Sequence, residues 1–340
     1  MPTFSPSPLL AAARDRAVVC DASPLALLAV AGLDASAFLH GQLSSDVAGL
    51  ASDACQYTSY NTPGGRMLAN LVLWRAGGGP ADGFRALLAD DVAAGVRKRL
   101  AMFVLRSKVT LADLSPGFAR LGVGGPAAGD VVRAALGEAP PVFGVVRRGE
   151  AEILGLPGSR FVVVAPAASA DAIRAALAPH APCAGFDVWQ WLTIRAGVPV
   201  ITAPVQDRFV PQTANWDVLG GVNFHKGCYT GQEIVARTQY LGRLKERLFA
   251  FHAPTPMTAP GERLWSAAFA GQPCGTVINA AAAPDGGCDL LAVLQIAAAA
   301  SGDVHLGAGD GPSLTPLALP YAVPPPAEPR GRNAPPRAEP

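Results

Sequence analysis

Between Leu25 and Leu111 the hydrophobic pattern changes period in an order that few folds satisfy. An apolar run, Leu25 to Val30, predicts a strand. Asp34 predicts the start of a helix carrying Phe38, Leu39 and Leu43. Tyr57-Thr58-Ser59-Tyr60 and Met67 to Trp74 predict a hairpin turned by Pro63-Gly64-Gly65. A short strand is expected at Phe84 to Leu88. Asp90 to Met102 reads as a helix, because Val92, Val96 and Leu100 recur at i, i+4 and i+8. Val109 to Leu111 reads as a strand. Strand, helix, hairpin, helix, strand is the split βαβ, ferredoxin-like order with one strand added.

A second run of the same kind follows. Phe118 to Val123, Pro141 to Val146, Glu152 to Leu156 and Phe161 to Val164 predict strands, and Ala127 to Leu136 and Ala168 to Leu177 predict helices. Phe186 to Arg195 predicts one more helix, ended by Gly197-Val198-Pro199. Trp189 and Trp191 fall on opposite sides of it, so at most one is expected to face a core. From Leu244 onward short strands with glycine and proline breaks suit a small β-barrel. The expected division is an N-terminal arm (1–16), a main region (17–240), the barrel (241–322) and a proline-rich tail (323–340).

A net charge of +1 over 340 residues gives no electrostatic case for bulk nucleic-acid binding. The six cysteines include no C-x-x-C pair, which excludes a zinc ribbon and a thioredoxin motif. Scattered thiols and the lack of a secretory h-region after Met1 fit a reducing cytoplasm. No strongly apolar stretch of about 18 residues is present, so no membrane association is expected. Gly122-Val123-Gly124-Gly125-Pro126-Ala127 matches G-x-G-x-x-A, but a hairpin follows it where a dinucleotide fold needs a parallel βα unit, so it reads as a glycine turn. Arg97-Lys98-Arg99 and Arg243-Leu244-Lys245-Glu246-Arg247 read as solvated faces or as landing sites for an anion.

The reactive residue types crowd into Lys226-Gly227-Cys228-Tyr229-Thr230-Gly231-Gln232-Glu233. Thr230 and Glu233 fit S/T-x-x-E, which predicts Thr230 as the N-cap of a helix continuing to Arg237. Cys228 then lies just outside a helix N-terminus, with Lys226 as a nearby cation; both favour thiolate. The alternative is a tight turn with a small buried cysteine.

The longer stretch Phe224 to Arg237 resembles the signature of the YgfZ-type folate-binding proteins, relatives of the glycine-cleavage aminomethyltransferase. Phe209-Val210-Pro211-Gln212, Tyr240-Leu241-Gly242-Arg243 and Arg247-Leu248 agree with it. The resemblance implies an α+β fold of two intertwined ferredoxin-like halves followed by a small C-terminal β-barrel. It implies tetrahydrofolate or a folate derivative in a central cavity lined by the signature turn. It implies partners among iron–sulfur client proteins or their assembly machinery, including tRNA-modifying enzymes, without direct sequence-specific nucleic-acid binding. Cys228 would be the thiol centre and Lys226 its activator. Asn70, Arg195, Gln212, Tyr229, Gln232, Glu233 and Arg237 would shape the folate site. True aminomethyltransferases carry an aspartate where this chain has Ala69-Asn70. An amide neither takes a proton nor balances an iminium charge at neutral pH. A folate-dependent aminomethyltransferase, and a pure folate-binding protein with a structural Cys228, remain the alternatives.

Overall fold

A computed structural model describes residues 7–77, 83–240 and 244–324. Residues 1–6 of the expected arm, Leu241-Gly242-Arg243 and the tail from residue 325 lie outside the described residues.

The chain begins with α1 (Pro8–Asp15), where the sequence suggested a loose arm. Ser7 caps it through Leu10 N, and Pro8 occupies the first turn, where a missing N–H is no loss. Leu10, Ala12 and Ala13 are buried, which anchors the helix. Next come β1 (Val18–Asp21), β2 (Leu25–Ala31), α2 (Ala35–Gln42), β3 (Cys55–Asn61), β4 (Met67–Arg75), β5 (Phe84–Ala89), α3 (Asp90–Ala101) and β6 (Thr110–Asp113). Strands β2 to β6 make an antiparallel sheet in the order β3-β4-β5-β2-β6. One of its faces packs on α2 and α3 through Phe38, Leu39, Val92, Val96 and Leu100.

The second half comprises β7 (Phe118–Gly124), α4 (Ala128–Leu136), β8 (Val145–Arg148), β9 (Ala151–Leu156), β10 (Arg160–Pro166), α5 (Ala170–Leu177) and β11 (Cys183–Ala184). Its sheet runs β11-β1-β7-β10-β9-β8. Strand β1 precedes the whole first sheet in sequence yet sits inside the second, so the halves are intertwined as expected. Phe161, Val163 and Ala165 of β10 face α4 and α5, while Arg160, Val162 and Val164 face the centre of the molecule.

Helix α6 (Phe186–Arg195) has the predicted bounds. It is covered by α1, β1 and β7 on one side and by the C-terminal sheet on the other. Both Trp189 and Trp191 are therefore buried, which corrects the expectation that at most one would be. The neighbouring glycines explain how α6 comes so close. A Cβ on Gly122 would lie 2.4 Å from the Trp189 ring, and one on Gly124 2.5 Å from Leu192. The G-x-G pattern is thus neither a dinucleotide loop nor only a turn: its first two glycines sit within β7 as the seat of α6.

After α7 (Gln232–Tyr240), β12 (Glu246–Ala253), β13 (Arg263–Trp265), β14 (Pro273–Ala282), β15 (Cys288–Gln295), α8 (Ile296–Ser301), β16 (His305–Leu306) and β17 (Thr315–Leu317) complete the chain. The last sheet, β16-β13-β14-β15-β12-β17, curls into a half-barrel. The central core joins all three sheets around α6, with Tyr57, Trp74, Val162, Trp189, Trp216, Leu248, Ile278 and Leu291 among its members. Among the described residues no helix is long and apolar enough to cross a membrane.

Candidate functional site

Where the three sheets and α6 meet they leave a cavity of about 390 Å³, within the range of small-molecule sites. Its walls are mostly apolar and aromatic: Leu71, Leu87, Val162, Trp189, Ile194 and Trp216. Tyr57 stacks on Trp216 with ring centroids 4.9 Å apart. Pro24, Asp90, Asp91 and Gln190 line it from exposed positions and mark the rim.

Arg160 is the feature that sequence reasoning missed. It is 2% exposed, yet no carboxylate pairs with it among the described residues. Its Nε donates to Pro157 O at 2.9 Å, Nη1 to Thr193 Oγ1 at 2.8 Å and Nη2 to Tyr57 Oη at 3.4 Å. The guanidinium carbon lies 5.5 Å from the Trp189 ring centroid. Three of the five N–H groups of the guanidinium have partners, the last of them long. Burial lowers the Arg160 pKa, and Tyr57 opposes that. The available sequence signal was slight: a basic residue in register with Val162 and Val164, opening a strand otherwise wholly apolar.

Asn70 is the one predicted site residue that lines the cavity. Its amide laces β4 to the segment after α6. Nδ2 donates to Pro199 O at 2.6 Å and Oδ1 accepts from Ile201 N at 2.8 Å. Arg195 lies elsewhere, half-exposed on α6 with Nη1 3.8 Å from Asp289 Oδ2. Asp289 also accepts from Trp191 Nε1 and contacts His252 Nδ1, each at 2.9 Å.

The signature turn does not line the cavity, which corrects the expectation drawn from the resemblance; none of Lys226 to Glu233 reaches its wall. The turn docks instead on the C-terminal end of α2. Lys226 Nζ donates to His40 O and, at 2.7 Å, to Leu43 O, two carbonyls that α2 leaves unpaired. It also lies 4.8 Å from the centre of the Tyr229 ring. Burial pulls the Lys226 pKa down to about 8, against the pull of Asp46, and pushes the buried Tyr229 hydroxyl up to about 12. Cys228 is a free, exposed cysteine, the side chains of Glu233 and Arg237 are exposed, and Gln232 is half-buried.

The capping box is not formed. Helix α7 begins at Gln232, and Val235 N donates to the carbonyl of Gly231, so Gly231 stands at the cap position. Gly231 has φ +83 and presses on the β3–β4 hairpin; a Cβ there would lie 2.4 Å from Thr62 O. That contact fixes the helix start one residue beyond the Thr230 of the sequence pattern. Beneath α7, the buried Gln212 donates Nε2 to Val235 O at 2.7 Å. Its own carbonyl accepts from Arg247 Nη1 at 2.6 Å, and Arg247 pairs with Asp217 at 2.7 and 3.1 Å.

Two interlocked α/β halves, a curled C-terminal sheet and a cavity at their junction are the architecture of a GCVT-type protein. The family model of the GCVT N-terminal domain matches residues 10–157. The glycine cleavage system aminomethyltransferase T of Bartonella henselae superposes with a TM-score of 0.75, covering 92% of this chain and 88% of that one at 19% identity. A tRNA-modifying protein YgfZ of Yersinia enterocolitica is 31% identical over 326 residues, 94% of this chain and 97% of that protein. Its counterpart in Enterobacter sp. strain 638 is 32% identical over 249 residues, 72% and 75% of the two chains. The chain belongs to the YgfZ family.

Proposed function

We propose that the chain binds a folate in the central cavity and supports the assembly or repair of iron–sulfur clusters in client proteins, among them tRNA-modifying enzymes. The observation that carries the first part is the cavity itself: a slot of about 390 Å³ with aromatic walls and one buried cation. A ligand with a flat heterocycle and an acidic end matches that lining. The second part rests on family membership and on the names of the relatives, which are tRNA-modifying proteins.

In this reading the two regions divide the work. The cavity holds the folate. Cys228, exposed on the docked turn, meets the client, and Lys226 and Tyr229 hold the turn in place through α2. Gln232, Glu233 and Arg237 present the polar face around the thiol, and Gln212 supports α7 from below. Asn70 keeps the cavity wall closed against Pro199 and Ile201. Arg195, tied to Asp289, joins α6 to the C-terminal sheet.

The test is tetrahydrofolate titration of wild type and Cys228→Ala, scored in parallel for iron–sulfur enzyme activity in cells. Cys228→Ala is expected to keep folate affinity and lose client activity. Loss of folate binding in Cys228→Ala, or full client activity without the thiol, would sink the division. A short iodoacetamide pulse adds a check. Cys228 and Cys183, both exposed, are expected to label, whereas buried Cys20 and Cys55, with thiol pKa values pushed up to about 12 by burial, are not.

A further inference from the structure

Single exposed apolar side chains are ordinary, but a cluster of them marks a contact surface. Seven large ones are exposed among the described residues, and four of these sit together: Leu33 after β2, and Met102, Phe103 and Leu105 after α3. Two hydrogen bonds join the two segments, Lys108 N to Asp34 Oδ2 at 2.7 Å and Asp34 N to Lys108 O at 3.4 Å. An open cleft there is lined by Asp34, Phe103, Leu105, Arg106 and Ser107. The segment after α3 is not slack, since Ser107 N donates to Val104 O at 2.8 Å and Val109 N to Ser107 O at 2.9 Å. Leu105 is 87% exposed and held at φ +45, left-handed backbone that is costly for a residue with a Cβ and that no core contact rewards. Cations flank the apolar residues. Lys98 lies one turn before Met102, Arg106 follows Leu105, and Lys108 is the residue bonded to Asp34; all three are exposed. No acid occurs between Asp91 and Asp113, and Asp34, the one acid on the cleft, already accepts from Lys108 N.

We propose that this face docks a protein whose own surface sets carboxylates around a projecting apolar side chain. The charge calls for an acidic partner, because three exposed cations stand here with no free acid among them. The cleft calls for a protein. It is a recess for a side chain, whereas a lipid surface is entered by an apolar tip, and a nucleic acid is met mainly through its phosphates. Leu33, Met102, Phe103 and Leu105 supply the apolar centre, and Lys98, Arg106 and Lys108 the polar rim, the usual anatomy of a protein interface. The left-handed turn then has a use: it holds the Leu105 side chain out of the core and ready for the contact. The face is separate from the central cavity, and its docking does not depend on the folate reading. Helix α3 runs between them, with Asp90 and Asp91 at the cavity and Met102 just past its other end, about 18 Å on.

The test places the photoreactive residue p-benzoylphenylalanine at Met102 of the full chain, irradiates cells and identifies each adduct by mass spectrometry. The same label at Val142, exposed but apart from the cluster, is the control. The identified partner is then purified and titrated against unlabelled protein. The expected result is a discrete adduct from Met102 that Val142 does not give, with an acidic protein. Leu105→Ser should weaken its binding by roughly tenfold to a hundredfold, the range for losing a buried leucine, and Arg106→Glu by roughly tenfold. Wild-type affinity should fall as salt rises. Leu105→Gly separates docking from folding. It relieves the strain at φ +45, so its melting temperature should stay close to that of wild type while binding drops as in Leu105→Ser. The proposal is overturned if Met102 gives no adduct, if the adduct is a second copy of this chain or a basic protein, or if the variants bind the partner as tightly as wild type. It is overturned too if Leu105→Gly and Leu105→Ser both melt far below wild type, which would make the loop a folding element. Phosphatidylglycerol vesicles and transfer RNA are run on the same proteins. Binding of either that Leu105→Ser abolishes would give the face to lipid or to RNA, and the proposal would fall.

Discussion

Arg160 and Arg247 are both buried guanidiniums carried on strands, 2% and 8% exposed, and the chain treats them in opposite ways. Arg247 is closed. Asp217 meets it with both oxygens, Gln212 O takes a further bond, and Gln212 passes the support on to Val235 in α7. Arg160 is open. Its partners are a carbonyl and two hydroxyls, all neutral, and a cavity lies beside it. A closed cation is part of the scaffold, here the foundation of the signature helix. The open one has only neutral acceptors and stands beside a cavity. Burial alone does not distinguish the two; the acid beside Arg247 and the cavity beside Arg160 do.

The largest expected effect follows directly. Arg247→Met strands the Asp217 carboxylate, which is 9% exposed, and frees the support of α7. It should cost about 3–5 kcal/mol, the range for breaking one side of a buried pair. Arg160→Met leaves no acid unpaired and strands only neutral acceptors, so its cost should be smaller, about 1–3 kcal/mol. Urea unfolding of the two variants measures both. Equal losses would erase the distinction and make Arg160 a scaffold residue as well.

A smaller effect tests the signature turn. Gly231→Ala forces a side chain into left-handed backbone and against Thr62 O. Left-handed backbone alone costs a residue with a Cβ about 1–2 kcal/mol, and the contact adds to that. Thr230→Ala removes a side chain with no hydrogen bond among the described residues, and should stay within about 0.5 kcal/mol. A working capping box would reverse the ranking, with Thr230→Ala costing about 1 kcal/mol. Thermal melts of the two variants decide between them.

The misreading at Thr230 shows where local pattern stops being informative. S/T-x-x-E is a local rule, and the start of α7 is set by a distant hairpin pressing on Gly231. Helix α6 was legible to the residue because its glycine start and its apolar run are local. Strand β1 was not, since four residues gain strand geometry only by pairing with β7 and β11, more than 95 positions away in register. The cavity is the extreme case. Tyr57, Arg160 and Trp189 come from β3, β10 and α6, and at least 29 positions separate any two of them. The signature turn was conspicuous in sequence because its residues are contiguous. Arg160 was hidden because its partners are not.

Lys226 is the third cation, and it falls between the other two. It is half-buried, bonded to two carbonyls and stacked on Tyr229, with Asp46 and the His40 backbone beside it. Its pKa in the folded chain is about 8, below the ordinary lysine value of 10.5. Between those two pH values the unfolded chain binds the extra proton and the folded chain does not. Stability must therefore rise with pH across that window from this group alone. The buried thiols of Cys20 and Cys55 act with the opposite sign. Their pKa values are raised to about 12 from 9, so their contribution is full below 9 and is lost as pH climbs through 12. A wild-type stability curve mixes the two. Subtracting the curve of Lys226→Met, measured by urea unfolding from pH 7 to pH 10.5, isolates the lysine. The difference should drift in favour of wild type as pH rises above 8, since a neutral amine still donates to both carbonyls without the desolvation cost. A difference that is flat, or that falls with pH, would mean that the lysine charge is fully solvated or paired. Lys226 would then stand with the closed cations and would hold the turn by charge as well as by hydrogen bonds.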